Sequence, residues 1–346
     1  MIKNKREKLG GEEMKGIRTV SLTVLMFLSI LLAQSAYASL TVFQTYTGNV
    51  ALSSDGFGST TENGTISADV PVGATVLNAY LYSATFFGGS QAATLNGSSV
   101  AFNPQVLNTA TCCDLASARA DVTSIVAPII NGGPGGVYNF TVAETGVQQD
   151  GEGLVVVYSL PSLPTATVAI LDGFSASGGD SASISFANPL DPTAPGFFAK
   201  MGIGDSFSCC GQESTITVNG NTLTTHAGNN DDSADGFISN GNLITVCSFD
   251  DPTSPPDPSY DQDHECYDLK PFVTLGDTSI AINTNNPSND DNIFLETFYV
   301  SGLANVCDTP DCIPPSEAPE PGVLFLVGIG IVALWVSNWL YRRRFA

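Results

Sequence analysis

A chain of 346 residues with 34 acidic and 12 basic side chains, formal net charge -22, has no Lys/Arg cluster outside its two ends. This excludes a nucleic-acid partner, because binding a phosphate backbone rests on concentrated Lys and Arg. Six of the basic residues precede Ser39 (Lys3, Lys5, Arg6, Lys8, Lys15, Arg18) and three are Arg342, Arg343 and Arg344, so only Arg119, Lys200 and Lys270 lie between, on a surface suited to solubility outside the cell, to calcium, or to repulsion of acidic polymers.

The first predicted element is a leader. Lys15 and Arg18 precede an apolar stretch from Val20 to Leu32, and Ala36-Tyr37-Ala38 stands before Ser39. That order is a secretory signal peptide over residues 1–38, with Ala36 and Ala38 as the cleavage signature. Met1 to Glu13 is charged and does not belong to the pattern, while Gly10-Gly11-Glu12-Glu13 can be encoded by a purine-rich ribosome-binding run. Translation is therefore expected to begin at Met14.

Residues 39–306 are rich in Gly, Ser, Thr, Asn, Val and Ala and show no helical periodicity. This points to an all-β fold, long enough for one large or two modest cores. The predicted strands are Thr75 to Tyr82, Gln91 to Leu95, Val137 to Val142, Leu154 to Tyr158, Thr167 to Leu171, Ala182 to Phe186, Thr215 to Val218, Leu243 to Val246, Ser279 to Ile282 and Ile293 to Val300. Asn96-Gly97 and Asn219-Gly220 signal hairpins, because a type I′ turn needs positive φ at both central residues. Arg119 to Val126 fits either a helical turn or a strand edge.

Leu154-Val155-Val156-Val157-Tyr158 has no polar face and is expected to be covered on both sides. Pro161 and Pro164 forbid a continuous central strand from there to Thr167. Two weak echoes run through the chain in inverted order: Ala93 to Ser98 with Thr217 to Asn221, and Val72 to Val76 with Leu275 to Ser279. The expected architecture is one large β-sandwich or two packed, jelly-roll-like sandwich halves. The succession Val72 to Tyr82, Ala118 to Thr123, Gly153 to Tyr158 and Leu171 to Phe174 also resembles a module of uncharacterised function in bacterial surface proteins, over roughly residues 60 to 300. That module has an aromatic where this chain has Ser83, and it lacks paired cysteines. The resemblance implies an exported β-sandwich and supplies no catalytic residue.

Eight cysteines between residues 112 and 312 argue for an oxidising compartment and disulfides. Eight thiols allow on the order of a hundred pairings. The most local are Cys307 with Cys312, and Cys247 with Cys266, which would close a loop containing Pro252, Pro255, Pro256 and Pro258. Cys112-Cys113 and Cys209-Cys210 are adjacent pairs whose side chains diverge in an extended strand, so cross-links between the two pairs are expected. The alternative is a zinc or copper site on these thiols with His226 or His264, against which stands the absence of C-x-x-C spacing.

Asn229 to Gly236, with Asp231, Asp232 and Asp235, places oxygen ligands at near-alternate positions as calcium loops do. Asn285 to Asn292 is a second oxygen-rich loop, and Asp261, Asp263 and Glu265 form a third. The other explanation is that Asx and Gly residues make turns. The two histidines, His226 and His264, lie in polar stretches, and no G-x-S-x-G, H-E-x-x-H or phosphate-cradling loop occurs. Phe86-Phe87 and Phe197-Phe198 are aromatic pairs available for stacking on sugar rings.

At the C-terminus, a linker over residues 307–322 carries Pro319-Glu320-Pro321, residues 323–341 are almost unbroken apolar, and a basic tail over 342–346 holds Arg342 to Arg344. Nineteen residues of helix span about 28 Å, close to the ~30 Å core of a bilayer, and the arginines are expected on the cytoplasmic side. These three parts in this order resemble the PEP-CTERM sorting signal of bacterial envelope proteins. The resemblance implies cleavage at Pro319-Glu320-Pro321 by a membrane-embedded exosortase with a cysteine nucleophile, and an exopolysaccharide setting. The alternative is an ordinary tail anchor. The expected protein is an exported, non-catalytic envelope or matrix component, held transiently at the inner membrane, without cofactor unless calcium binds. A carbohydrate-binding module, calcium-assisted or not, and a secreted hydrolase are the alternatives.

Overall fold

The computed structural model describes residues 39–58, 61–108, 114–176, 178–206, 214–228, 244–286, 292–310 and 312–315. They form four antiparallel sheets and one α-helix. A first inner sheet runs Val50–Gly58, Val147–Ser159, Thr75–Ser90, Leu115–Asp121, Gln105–Asn108. The first outer sheet, Asn63–Val70, Gly136–Glu144, Ala93–Leu95, Ser98–Val100, covers one face of it. A second inner sheet runs Thr41–Gly48, Ala166–Asp172, Asn292–Ser301, Ala199–Ser206, Ile244–Val246, with Cys266–Asp268 also on Ala199–Ser206. The second outer sheet is Asn221–Ala227, Ser214–Val218, Ser279–Asn285, Ser181–Phe186, Ala304–Cys307.

Three apolar layers hold the four sheets in a stack: one between each outer sheet and its inner neighbour, and one between the two inner sheets. The strand Val147–Ser159 shows why the sequence requires this. Leu154 and Val156 point into the layer beneath the first outer sheet, while Val155 and Val157 point into the layer shared by the inner sheets. All four are fully buried, at roughly 1.5–3 kcal/mol of transfer free energy each. After Pro161 and Pro164 the chain resumes as Ala166–Asp172 in the second inner sheet, so the prolines mark the passage between the two sheet pairs.

Both Asn-Gly pairs are hairpin turns with positive φ: Asn96 (48°) with Gly97 (74°), and Asn219 (49°) with Gly220 (77°). Each asparagine also grips the next strand of its own outer sheet. The Asn96 Oδ1 accepts from the Thr141 amide at 2.8 Å, and the Asn219 Oδ1 from the Ala281 amide at 2.9 Å. The second echo is structural too. Ala74 N donates to Pro71 O, and Asp277 N to Thr274 O, turning the chain at Gly73 and Gly276 just ahead of Thr75–Ser90 and Ser279–Asn285.

The ambiguous stretch Arg119 to Val126 is divided. Leu115–Asp121 is a strand; the Asp121 carboxylate then accepts the Thr123 amide at 2.9 Å and the chain enters a helix, Thr123–Ile130. Its buried Val126 and Ile130 close the end of the first sheet pair. Eight residues are too few for a periodic apolar pattern to stand out, which is why the sequence left a helical turn and a strand edge both open.

Candidate functional site

An opening with mixed chemistry lies at the seam of the two inner sheets. Leu52, Ser53 and Ser54 of the edge strand Val50–Gly58 form one wall. Lys200 and Gly202 of Ala199–Ser206, with Thr297 and Tyr299 of Asn292–Ser301, form the floor. The segment after Ile244–Val246, with Ser248, Phe249, Asp251 and Thr253, forms the other wall. The cleft measures about 240 Å³.

A disulfide holds it. Val246 and Cys266 pair with Gly204 and Gly202 along the same strand, so the next residue, Cys247, comes within 4.8 Å Cα–Cα of Cys266 and the two are bonded. A Cβ on Gly202 would lie 2.9 Å from the Cys247 Cβ and 3.0 Å from its Sγ, so glycine is what lets the bridge lie over the strand. Cys307 and Cys312 form the second described disulfide. These are the two local pairings read from the spacing.

The loop between Cys247 and Cys266 is organised by its own acids. Asp263, fully buried, accepts from the hydroxyls of Thr224 (2.5 Å) and Ser254 (3.2 Å), and Glu265 accepts from the Gly228 amide at 3.1 Å. Ser54 Oγ donates to Cys247 O at 2.7 Å, and Phe249 N donates back to Ser54 O. The third oxygen-rich stretch thus serves as internal bracing at Asp263 and Glu265. A loop of this size loses roughly 3 kcal/mol of unfolded-state entropy when closed. The double variant Cys247→Ala/Cys266→Ala is accordingly expected to be about 3 kcal/mol less stable in urea; an unchanged midpoint would count against a structural bridge.

Electrostatics around the cleft follow from burial. Asp55, on the same edge strand, accepts from the Ser67 amide and the Ser248 hydroxyl, yet burial pushes its carboxyl up to about 7. At the far end of the first sheet pair, Glu152 is raised well above the usual range by burial and then by Glu144 beside it. Gln149 Nε2 donates to Glu152 Oε1 and to Ser83 Oγ, both at 3.0 Å. This carboxyl pair was not legible, since with so many acids chance pairs abound in the sequence.

The aromatic pairs separate. Phe197 packs onto the apolar layer of the second sheet pair, whereas Phe198 meets Tyr299 at a tilt of 44° with centroids 4.5 Å apart, next to the cleft. Phe86 and Phe87 meet edge to face at 5.2 Å, with Phe87 56% exposed. His226 and His264 are both partly buried, and the His226 Nδ1 lies 3.1 Å from the Thr225 hydroxyl. Among the described residues no group of three or more His, Cys, Asp or Glu is placed to hold a metal.

Several predicted positions lie outside the described residues: Ala36 and Ala38, Cys112, Cys113, Cys209 and Cys210, Asp231, Asp232 and Asp235, Pro319 to Pro321, the span 323–341 and Arg342 to Arg344. Among the described residues no helix is long and apolar enough to cross a membrane.

No protein-family model matches the chain, and no curated protein matches it. The Streptococcus agalactiae AgI/II polypeptide BspA C-terminal domain aligns weakly over 75% of this chain and 96% of its own, at 8% identity and a TM-score of 0.17. A chain of the Sputnik virophage aligns over 84% and 92%, at 10% identity and a TM-score of 0.16. At such scores neither likeness bears on fold or function.

Proposed function

We propose that this is an exported, non-catalytic component of a bacterial envelope or extracellular matrix, structural or adhesive in a biofilm and exopolysaccharide setting. On this reading an exosortase-like enzyme processes it at the inner membrane. The observation that carries the proposal is the order Pro319-Glu320-Pro321, apolar residues 323–341, Arg342-Arg343-Arg344. A β body stapled by Cys247–Cys266 and Cys307–Cys312 supports it, because such bridges persist outside the reducing cytosol. Replacing Pro319 to Pro321 with alanine is expected to leave a full-length, membrane-retained form on immunoblots of cell fractions. Unchanged processing would overturn the proposal.

One observation favours the second reading, a carbohydrate-binding module. Tyr299, in contact with Phe198, lines a cleft shared with Ser53, Thr297 and Asp251, which places an aromatic ring next to hydroxyl and carboxylate groups, the mix of apolar and polar lining that small-ligand sites use. A glycan array probed with and without calcium tests it, Tyr299→Ala serving as the control; no retention in either condition counts against it. The last alternative, a secreted hydrolase, is tested by a panel of ester and glycoside substrates.

A further inference from the structure

The described part of the four-sheet body begins at Ser39, the residue that follows the Ala36-Tyr37-Ala38 motif in the sequence. Ser39 and Leu40 are firmly held at its edge. Leu40 is 2% exposed in the apolar layer between the second inner and outer sheets. The Ser39 carbonyl oxygen sits 2.1 Å from where a Cβ on Gly173 would be, so only glycine lets the chain lie there. The Ser39 Oγ donates to Asp180 Oδ1 at 2.5 Å, the Leu40 amide donates to the same carboxylate, and the Ala176 amide donates to its Oδ2 at 2.6 Å.

Behind Asp180 lies Glu296, 2% exposed, lining the same small cavity with Leu40 and Thr284. Burial raises both carboxyls, and the Asp180 charge adds to the rise of Glu296, to about 8. Among the described residues no cation answers them: Arg119 is committed to Asp172, and Lys200 and Lys270 are exposed elsewhere. Donors are supplied to Asp180 from Ser39, Leu40 and Ala176, but no positive charge.

We infer that hydrolysis of the Ala38–Ser39 bond builds the missing cation, the new α-ammonium of Ser39 pairing with Asp180 over Glu296, so that removing the leader locks the start of the chain into the second sheet pair. One water is consumed: its hydroxyl goes to the Ala38 carbonyl, which departs as the leader's carboxylate, and the Ser39 nitrogen takes up protons to become the ammonium. Three covalent bonds separate that nitrogen from the Ser39 Oγ, so it lies within about 6 Å of Asp180 Oδ1, inside the range over which opposite charges shift one another's titration. The inference rests on the export reading, and a two-step experiment separates them.

The full-length gene is expressed with export and the processed protein is sequenced from its N-terminus. Its α-amine is then titrated by the pH dependence of acylation, read by peptide mass spectrometry with Lys200 and Lys270 as internal references. The expected result is Ser39 as first residue and an α-amine about one unit or more above the ordinary ~7.7–8.0, returning to that range in Asp180→Asn. Because the raised amine belongs to the folded state, its stabilisation is complete below the ordinary value and is lost as pH rises through the raised one. Asp180→Asn is therefore expected to lower the Tm of the processed protein at pH 7. In a cleavage-blocked Ala38→Leu chain, where the carboxylate lacks its cation, the same change is expected not to lower it. A mature chain starting elsewhere overturns both the leader boundary and the inference. A chain starting at Ser39 with an ordinary α-amine overturns the inference alone, and this titration needs no variant to fold.

Discussion

Replacing Arg119 with alanine is expected to lower the unfolding free energy by about 3 kcal/mol, the low end of the cost of breaking a buried ion pair. Arg119 and Asp172 keep 14% and 17% of their side-chain exposure, so solvent softens the loss without removing it. The pair spans the seam between the inner sheets, Arg119 on Leu115–Asp121 and Asp172 at the end of Ala166–Asp172. The guanidinium carbon stands 3.3 Å from the centroid of the Phe43 ring, and the Tyr82 hydroxyl donates to Asp172 Oδ2 at 3.1 Å. Burial raises the Tyr82 phenol, which keeps it a donor throughout the working range. Truncating Arg119 strands a carboxylate with one neutral donor. If an uncompensated charge is the cause, Arg119→Met with Asp172→Leu should recover most of the loss in urea melts. A single variant within 0.5 kcal/mol of the parent, roughly the spread of ordinary surface changes, would remove this pair from the forces joining the two halves.

How legible a strand was depended on who satisfies its polar side chains. Leu154 to Tyr158 announces itself because it is apolar toward both faces, and Ile293 to Val300 because apolar residues flank Glu296 and Thr297 on both sides. Val50–Gly58 does not, since Ser53, Ser54 and Asp55 lie in its middle. Its buried hydroxyls are answered from far along the chain: the Asp69 amide donates to Ser53 Oγ, and Ser54 Oγ donates to Cys247 O. Ala199–Ser206 was hidden by glycines that weaken strand propensity. Gly202 lies under the disulfide and Gly204 under the Phe294 ring, 3.0 Å from an added Cβ. The local cysteine pairs were readable from spacing alone. The cleft was not, because Ser53, Lys200 and Thr297 reach it from three separate strands and share no pattern in the sequence.

Raising the pH from 5 to 9 is expected to destabilise the protein, against the habit of acid-labile folds. Asp55 is pushed up to about 7 and Glu296 to about 8, both chiefly by burial, from ordinary values near 4. A carboxyl whose folded pKa is raised binds more protons folded than unfolded. Its stabilisation is therefore full below the unfolded value and is lost as pH climbs to the folded one. Three units are worth on the order of 4 kcal/mol per group, as an upper bound. Exposed Asp191 acts in the opposite sense, being held low by the Thr193 hydroxyl and amide, and matters only as the solution becomes strongly acid. The Tm should fall steadily between pH 5 and 9, and Asp55→Asn with Glu296→Gln should flatten that slope while leaving the acid limb intact. A Tm that rises over the same interval would mean that Asp55 and Glu296 are already ionised in the folded protein at pH 5, their burial outweighed by the donors around them.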